Sequence, residues 1–419
     1  MEIEKNKYKQ TDIGIIPSDW EVKSYGDVFH FLKTATYSRA DLTEIDEVKY
    51  VHYGDIHTRW KFYLDFSKYA LPSIPYKRLK GYSLIQNGDV IMADASEDYK
   101  GICKSVEVKN IESDKAIAGL HTYLFRDING NFVDGYRGYL HTIEIVKKQF
   151  DVLATGMKVY GVSKSNLKKV LIPIPDKSEQ TAIAIALSDA EYYIESLEKL
   201  IKKKSLIKCG AMQKLLTPKE DWELKRLPNV CWFQEGPGLR NWQFTNQGMK
   251  VINVTNLENG RLNLESTDRY ISHDEFNKMY KHFEIDENDI VVASSGNSYA
   301  KVAVVRKRDL PLMMNTSVIR FKPLKNLNYD YLLIFLKSNL FKDQIDLLIT
   351  GGAQPNFGPA HLNKIHIHVP PTILEQEAIA EILVDMDYEI EMLERELNQV
   401  SLLKHGMMQQ LLTGKTRLI

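Results

Sequence analysis

One long helical passage occurs twice in this chain, and that repetition constrains the fold more than any other feature. Glu179-Gln180-Thr-Ala-Ile-Ala opens a run that closes on Met212-Gln-Lys-Leu-Leu-Thr217; Glu375-Gln376-Glu-Ala-Ile-Ala opens another that closes on Met408-Gln-Gln-Leu-Leu-Thr413. The offset from Gln180 to Gln376 is 196 residues and holds without a gap from Pro175/Pro371 to Thr217/Thr413. Identity at about half of the paired positions exceeds what shared helical periodicity produces. The chain is a duplication, and a long helix that twice follows a non-helical segment implies a two-headed protein. Between the helices the repeat fades: Asp19-Trp-Glu-Val-Lys23 returns as Asp221-Trp-Glu-Leu-Lys225, Asn87-Gly-Asp-Val90 as Glu287-Asn-Asp-Ile290, and Thr155-Gly156 as Thr350-Gly351. Segments that have diverged this far touch different things.

Apolar residues in the repeated helices alternate steps of four and three, through Ile183, Leu187, Ile194 and Leu197 in the first and Ile379, Leu383, Ile390 and Leu393 in the second. That spacing predicts a coiled-coil seam. The first helix is basic in its second half, with Lys199, Lys202, Lys203, Lys204 and Lys208. The second is acidic in its first half, from Glu375 through Asp387 and Glu389 to Glu396. The two stretches face each other only if the helices run antiparallel. Pro173 and Pro175 precede the first helix and Pro370 and Pro371 the second, while Pro218 and Gly414 mark their ends. At about 1.5 Å per residue such a helix is a rod of about 55 Å.

The segments between read as β-rich with short helices. Val48 to Tyr53, Asp89 to Met92, Met249 to Val254, Asp289 to Ala293 and Thr316 to Phe321 are strand-like, and Tyr136 to Val146 and Tyr331 to Leu336 read as short buried helices. The expected fold is α+β: two similar mixed α/β domains separated by two long antiparallel coiled-coil helices, with a pseudo-twofold internal repeat. Boundaries fall at 1–174, 175–217, 218–370 and 371–419. The helix ends also place the two termini near one another.

Composition excludes several classes. The 419 residues are 44% hydrophobic, enough for two or three cores, and 55 Lys+Arg against 55 Asp+Glu argues against a freestanding basic protein that coats nucleic acid. A polar N-terminus without an apolar run behind it, and no stretch of membrane-spanning length, predict a cytoplasmic protein away from membranes. Cys103, Cys209 and Cys231 lie too far apart for a disulfide framework or a four-ligand zinc site. No glycine-rich cofactor turn, Asp/Asn-Pro-Pro-aromatic loop or phosphate loop is present. Asp89 with Glu107-Val-Lys109 imitates a metal-dependent nuclease, but the second half keeps Asp289 and continues through Val304-Val-Arg-Lys307 without the acid. Further Glu-x-Lys triplets begin at Glu21 and Glu47. His366 and His368 alternate on a strand with no third ligand nearby, so no metal site is expected.

The opening Tyr8-Lys-Gln-Thr-Asp-Ile-Gly-Ile-Ile-Pro-Ser-Asp-Trp20, the Ile172-Pro-Ile-Pro-x-x-x-Glu-Gln180 entry and both Met-Gln-x-Leu-Leu-Thr endings resemble the DNA specificity subunit of type I restriction-modification systems, over essentially the whole chain. The resemblance implies a subunit with no catalytic residues and no cofactor of its own. Each diverged segment would be a target recognition domain reading half of a bipartite, asymmetric site in double-stranded DNA. The helices would set the gap and dock two methyltransferase subunits that use S-adenosylmethionine, and a restriction subunit using ATP with Mg can join. The rival reading is a coiled-coil scaffold with protein-binding heads, which salt-sensitive DNA binding separates from the first.

Base edges and phosphates are met by polar and basic side chains on loops. In the first domain the expected contacts are Lys33, Thr36, Tyr37, Ser38, Arg39, Ser96, Tyr99, Lys100, Lys158 and Tyr160. In the second they are Arg240, Asn241, Gln243, Ser294, Ser295, Asn297, Ser298, Lys301, Gln354 and Asn356.

Overall fold

The computed structural model describes residues 7–99, 101–156, 158–349 and 355–418, with the side chain of Ser298 outside that set. It divides into two compact units, residues 1–198 with 395–419, and residues 199–394. Each unit therefore contains one β-rich segment and part of both long helices.

The duplication is legible in strand order. In the first unit one sheet runs His30–Leu32, Thr122–Arg126, Val90–Ala93, Ser105–Lys109, Tyr63–Asp65, and a smaller one Lys115–Ala118, Val48–Val51, Ser73–Ile74. The second unit repeats the first four strands of the large sheet and all of the small one: Cys231–Glu235, Val318–Pro323, Ile290–Ala293, Val302–Val304, and Leu312–Met314, Met249–Ile252, Tyr270–Ile271. The pairing of Lys115–Ala118 with Val48–Val51 is parallel, and so is that of Leu312–Met314 with Met249–Ile252. Val90–Ala93 and Ile290–Ala293 are the sheet centres, buried along their whole length, which is why they are continuously apolar rather than alternating. Each is entered through a left-handed residue, Gly88 at φ +78° and Asn288 at φ +65°, followed by a buried aspartate. Asp89 accepts from the Gln86 amide at 2.8 Å and from Arg126; Asp289 accepts from the Asp286 amide at 2.9 Å and from Arg320.

Both long helices are 39 residues, Lys177–Leu215 and Ile373–Leu411. Within each unit their segments run antiparallel. In the first unit Glu191 meets Lys404 and the Tyr193 hydroxyl donates to Glu396; in the second Lys204 meets Glu389 at 2.6 Å and Lys208 meets Asp387. Moving Glu191 and Lys208 by the repeat offset gives Asp387 and Lys404, so one acid–lysine contact is written twice. In the first unit the pair is nearly enclosed, with side-chain exposures of 5% for Lys404 and 11% for Glu191; in the second Lys208 and Asp387 keep 19% and 34%.

The seam expectation needs correcting at the helix starts. Ile183 and Leu187 sink into the first domain's core beside Tyr136, Tyr139 and Phe150, and Ile379 and Leu383 into the second's beside Tyr331 and Phe335. Only further along do the expected residues run clear of those cores, with Ile194 and Leu197 buried and Ile390 and Leu393 half-buried. The domain offers a wider apolar surface there than one facing helix does.

The repeated Glu-Gln explains how each helix is held. Gln180 donates to the carbonyls of Pro175 and Asn131 and accepts from the Val133 amide; Gln376 donates to Pro370 and Asn326 and accepts from the Asn328 amide. Glu179 accepts from the Trp20 indole at 2.8 Å, and Glu375 from Trp222 at 3.3 Å. Near the chain ends the Tyr8 hydroxyl donates to the Gly414 carbonyl at 3.2 Å, and Arg417 reaches both Asp19 and Glu179, at 2.7 and 2.6 Å. The expected proximity of the two ends is present within the first unit.

Two local expectations shift. The strand from Val48 ends at Val51, because His52 caps a short helix, Tyr53–Thr58, by accepting from the Gly54 amide. The expected helix at Tyr136 is a 3-10 turn, Arg137–Thr142, followed by a helix at Glu144–Leu153.

Candidate nucleic-acid interface

In the first domain the three expected loops converge on one face. Strand His30–Leu32 leads into a turn at Arg39–Asp41, where the Ser38 hydroxyl donates to Asp41 at 2.7 Å. Arg39 lies over the start of helix Tyr53–Thr58, with Nη2 2.9 Å from Asp55 and the side chain 61% exposed. The Tyr53 ring stands 4.6 Å from His52, 5.4 Å from His121 and 6.4 Å from His57. His121 Nδ1 lies 3.2 Å from Asp94, and His57 Nε2 lies 2.9 Å from the Ala95 carbonyl. Ala95–Ser96 pairs with Tyr160–Gly161, and the Tyr99 and Tyr160 rings touch at 4.2 Å. Thus Arg39, His52, Tyr53 and His121 form one chain of contacts, Tyr99 and Tyr160 stand together on the Ala95–Ser96 pairing beside Asp94, and Lys33, Thr36 and Lys158 are exposed.

Burial pushes the Asp94 carboxyl above the usual range, and the His121 imidazole pulls it partly back. His52 is held below the usual histidine range by burial and by the Arg39 guanidinium, so it stays neutral and accepts from Gly54.

Two expected residues here serve the fold. Tyr37 packs into the small-sheet core and donates to the Arg78 carbonyl at 2.9 Å, and Ser96 is buried, accepting from the Asp98 amide. His52, Tyr53, His57 and His121 were not expected. Three of them belong to His-Tyr-Gly-Asp-Ile-His at 52–57, and extending the strand to Tyr53 hid that dense polar–aromatic cluster.

The second domain builds the equivalent place with different side chains. Ser294 to Gly296 lies against Pro355 to Phe357, through Gly296 N to Pro355 O at 3.0 Å and Phe357 N to Ser294 O at 2.9 Å, with Ser295 opposite Asn356. The turn Val254–Asn256 lies against Gly296–Ser298. Ser295, Asn297, Lys301 and Asn356 present polar groups there, whereas Ser294 is fully buried and serves the fold. Gln243 is likewise turned inward, its amide bonded to Glu275, Tyr280 and the Arg240 backbone. That inward anchor leaves Arg240 and Asn241 exposed on their own turn, together with Trp242 at 80% exposure, an aromatic the loop composition already contained. Lys100 and Gln354 lie outside the described residues, as does the Ser298 side chain.

The nuclease-like acids have structural partners instead. Glu107 is fully buried, accepting from the Gly135 and Gly138 amides at 2.7 and 2.9 Å beside Arg137, and Asp89 is the strand-entry cap already described.

Comparison with known proteins agrees with this arrangement of two like domains. The family described as type I restriction modification DNA specificity domain matches twice, over residues 17–204 and 219–402. The MjaVIII type I restriction enzyme specificity subunit of Methanocaldococcus jannaschii is 26% identical over 96% of this chain and 94% of its own length. The putative MjaX specificity subunit of the same organism is 26% identical over 99% and 97%. In fold, the chain is similar to the crystal structure of a type I S subunit from M. genitalium, with a TM-score of 0.58 at 15% identity, covering 97% of this chain and 98% of that one. With both of its β-rich segments matched in tandem, the chain belongs to the type I restriction-modification DNA specificity family, as a non-catalytic subunit that recognises DNA through two domains.

Proposed function

We propose that the two domains read the two halves of a split, asymmetric duplex site, and that the long helices fix the gap and dock two copies of a methyltransferase subunit. The observation that carries the first part is a constant scaffold with a changed face. Asp94 N bonds His121 O at 3.1 Å and Ser294 N bonds Ser317 O at 2.9 Å, so these are equivalent places holding an aspartate–histidine pair in one domain and two serines in the other. Two readers on one face of DNA sit most simply about one helical turn, roughly 10 base pairs, apart. The second part rests on exposed apolar residues that recur at the repeat offset: Tyr192 and Tyr388, Leu206 and Leu402, Ile207 and Leu403. Each unit carries one tyrosine and one adjacent apolar pair, as two copies of a single partner require. In this reading the chain works in the cytoplasm and holds no cofactor; S-adenosylmethionine belongs to the methyltransferase and ATP with Mg to any restriction subunit.

The test is to co-express the chain with its neighbouring methyltransferase subunit, select from random duplex DNA and sequence what is retained. A split motif with a fixed gap is the expected result, and removing four matched residues from both helices shortens that gap. Retention without sequence preference would favour the scaffold reading, and an unaltered gap would refute the spacer role.

A further inference from the structure

We infer that His121 of the first domain, supported by Asp94, contacts DNA as an imidazolium, so that recognition of one half-site is proton-linked and recognition of the other is not. This rests on the proposed reading of a two-part site and adds a residue and a chemical signature to it.

The geometry supplies the parts. His121 sits at φ +56°, a left-handed position immediately before the large-sheet strand Thr122–Arg126, and its side chain is 51% exposed beside Asp94 at 26%. Nδ1 faces the Asp94 carboxylate at 3.2 Å. With Nδ1 at the carboxylate, the opposite edge of the ring, Nε2, is left to a phosphate oxygen or to the acceptors of a guanine. The other groups facing it are the Tyr53 ring, neutral His52, and behind His52 the Arg39–Asp55 pair; His57 lies across Tyr53 with Nε2 at the Ala95 carbonyl. Arg39 adds a permanent positive charge to the same cluster, so an anionic ligand is drawn to it at any pH and held more strongly when His121 is protonated. In the second domain the two equivalent places, Ser317 and Ser294, do not titrate.

The experiment measures binding of the full chain with its methyltransferase partner, at constant ionic strength from pH 6 to 8, to the selected duplex and to duplexes with either half scrambled. Affinity falls as pH rises, by about five- to tenfold for one titrating contact, on the cognate duplex and on one half-scrambled duplex, and the other half-scrambled duplex gives a flat profile. His121→Gln flattens the profile on the duplex that kept the slope and leaves binding through the other half unchanged. Asp94→Asn, which removes the carboxylate that positions the ring, weakens binding through the same half-site. Equal slopes on both half-scrambled duplexes, or a slope that survives His121→Gln, would overturn the proposal. Loss of sequence selectivity at every pH would instead refute the two-part reading beneath it.

Discussion

Between the two recognition domains, what is buried has been kept and what is presented has been replaced. Asp89 with Arg126 and Asp289 with Arg320 close the same strand entry, and Gln149 and Gln344 each exchange two hydrogen bonds with the backbone of the strand that feeds a long helix, at Leu171 and at His366. On the loop face nothing comparable survives: Gly161 stands opposite Ala95 where Asn356 stands opposite Ser295, and a histidine-rich helix occupies the place of Val254–Asn256. Buried polar groups are costly to leave unpaired, so a change in one partner demands a change in the other. Exposed loop residues carry no such constraint, and a scaffold of this kind can change its target without changing its fold.

The comparison breaks most sharply at the duplicated acid–lysine contact. Lys404→Ala removes the enclosed partner of Glu191, leaving only the half-exposed Lys61 at 3.1 Å, and lowers the stability of the first unit by about 2 kcal/mol, whereas Lys208→Ala in the more open second unit, where Lys337 also meets Asp387, costs about 1 kcal/mol or less. Hydrogen exchange resolved by peptide reports each unit separately, and equal losses would show that enclosure does not govern the pair. On the loop face, Arg39→Ala and Trp242→Ala each weaken binding of one half-site by about 1–3 kcal/mol, on opposite halves; Trp242→Ala leaves stability unchanged, while Arg39→Ala also costs about 1 kcal/mol because the buried Asp55 loses its partner, and competition with half-scrambled duplexes checks the binding effects. Trp20→Phe takes one donor from the fully buried Glu179, which keeps its Arg417 pair, and costs about 1 kcal/mol, against about 0.5 kcal/mol for Trp222→Phe, where Glu375 keeps Lys219 and is partly solvated. Denaturant midpoints rank the two.

Acid gives the smallest and most diagnostic difference. Burial pushes Glu191 up, but its hydrogen bonds from Lys404 and Lys61 hold the carboxyl below the usual range. A carboxyl depressed on folding contributes stability above its unfolded value, near pH 4, and that contribution is lost as pH falls through the lower folded value. Protection of the first helix pair therefore declines below about pH 4, and Glu191→Gln lacks this component. Superimposable acid profiles for the two proteins would contradict the assignment.

The architecture was legible because it is written twice. The repeat offset, the prolines before each helix and the Asn/Gly turns before the central strands all mark features that backbone geometry forces on the sequence. The loop face was legible only in part. Its candidate segments are identifiable by composition, but whether Gln243 or Ser294 points inward depends on Glu275, Tyr280 and Phe357, which lie far off in sequence. The histidine cluster at 52–57 is hidden for a local reason: the alternation of the strand extends through Tyr53, whereas the His52 cap ends the strand at Val51.

Arg417 carries a consequence for synthesis. The second unit is a single stretch, residues 199–394, and can be complete while the ribosome is still working. The first unit draws on residues 395–419, and the buried Glu179 meets its guanidinium partner only after residue 417 has emerged. The domain translated first is the one finished last, so a prematurely terminated chain would leave its leading domain with an unneutralised carboxylate at the base of the first helix, an internal mark by which intact and truncated products differ in stability.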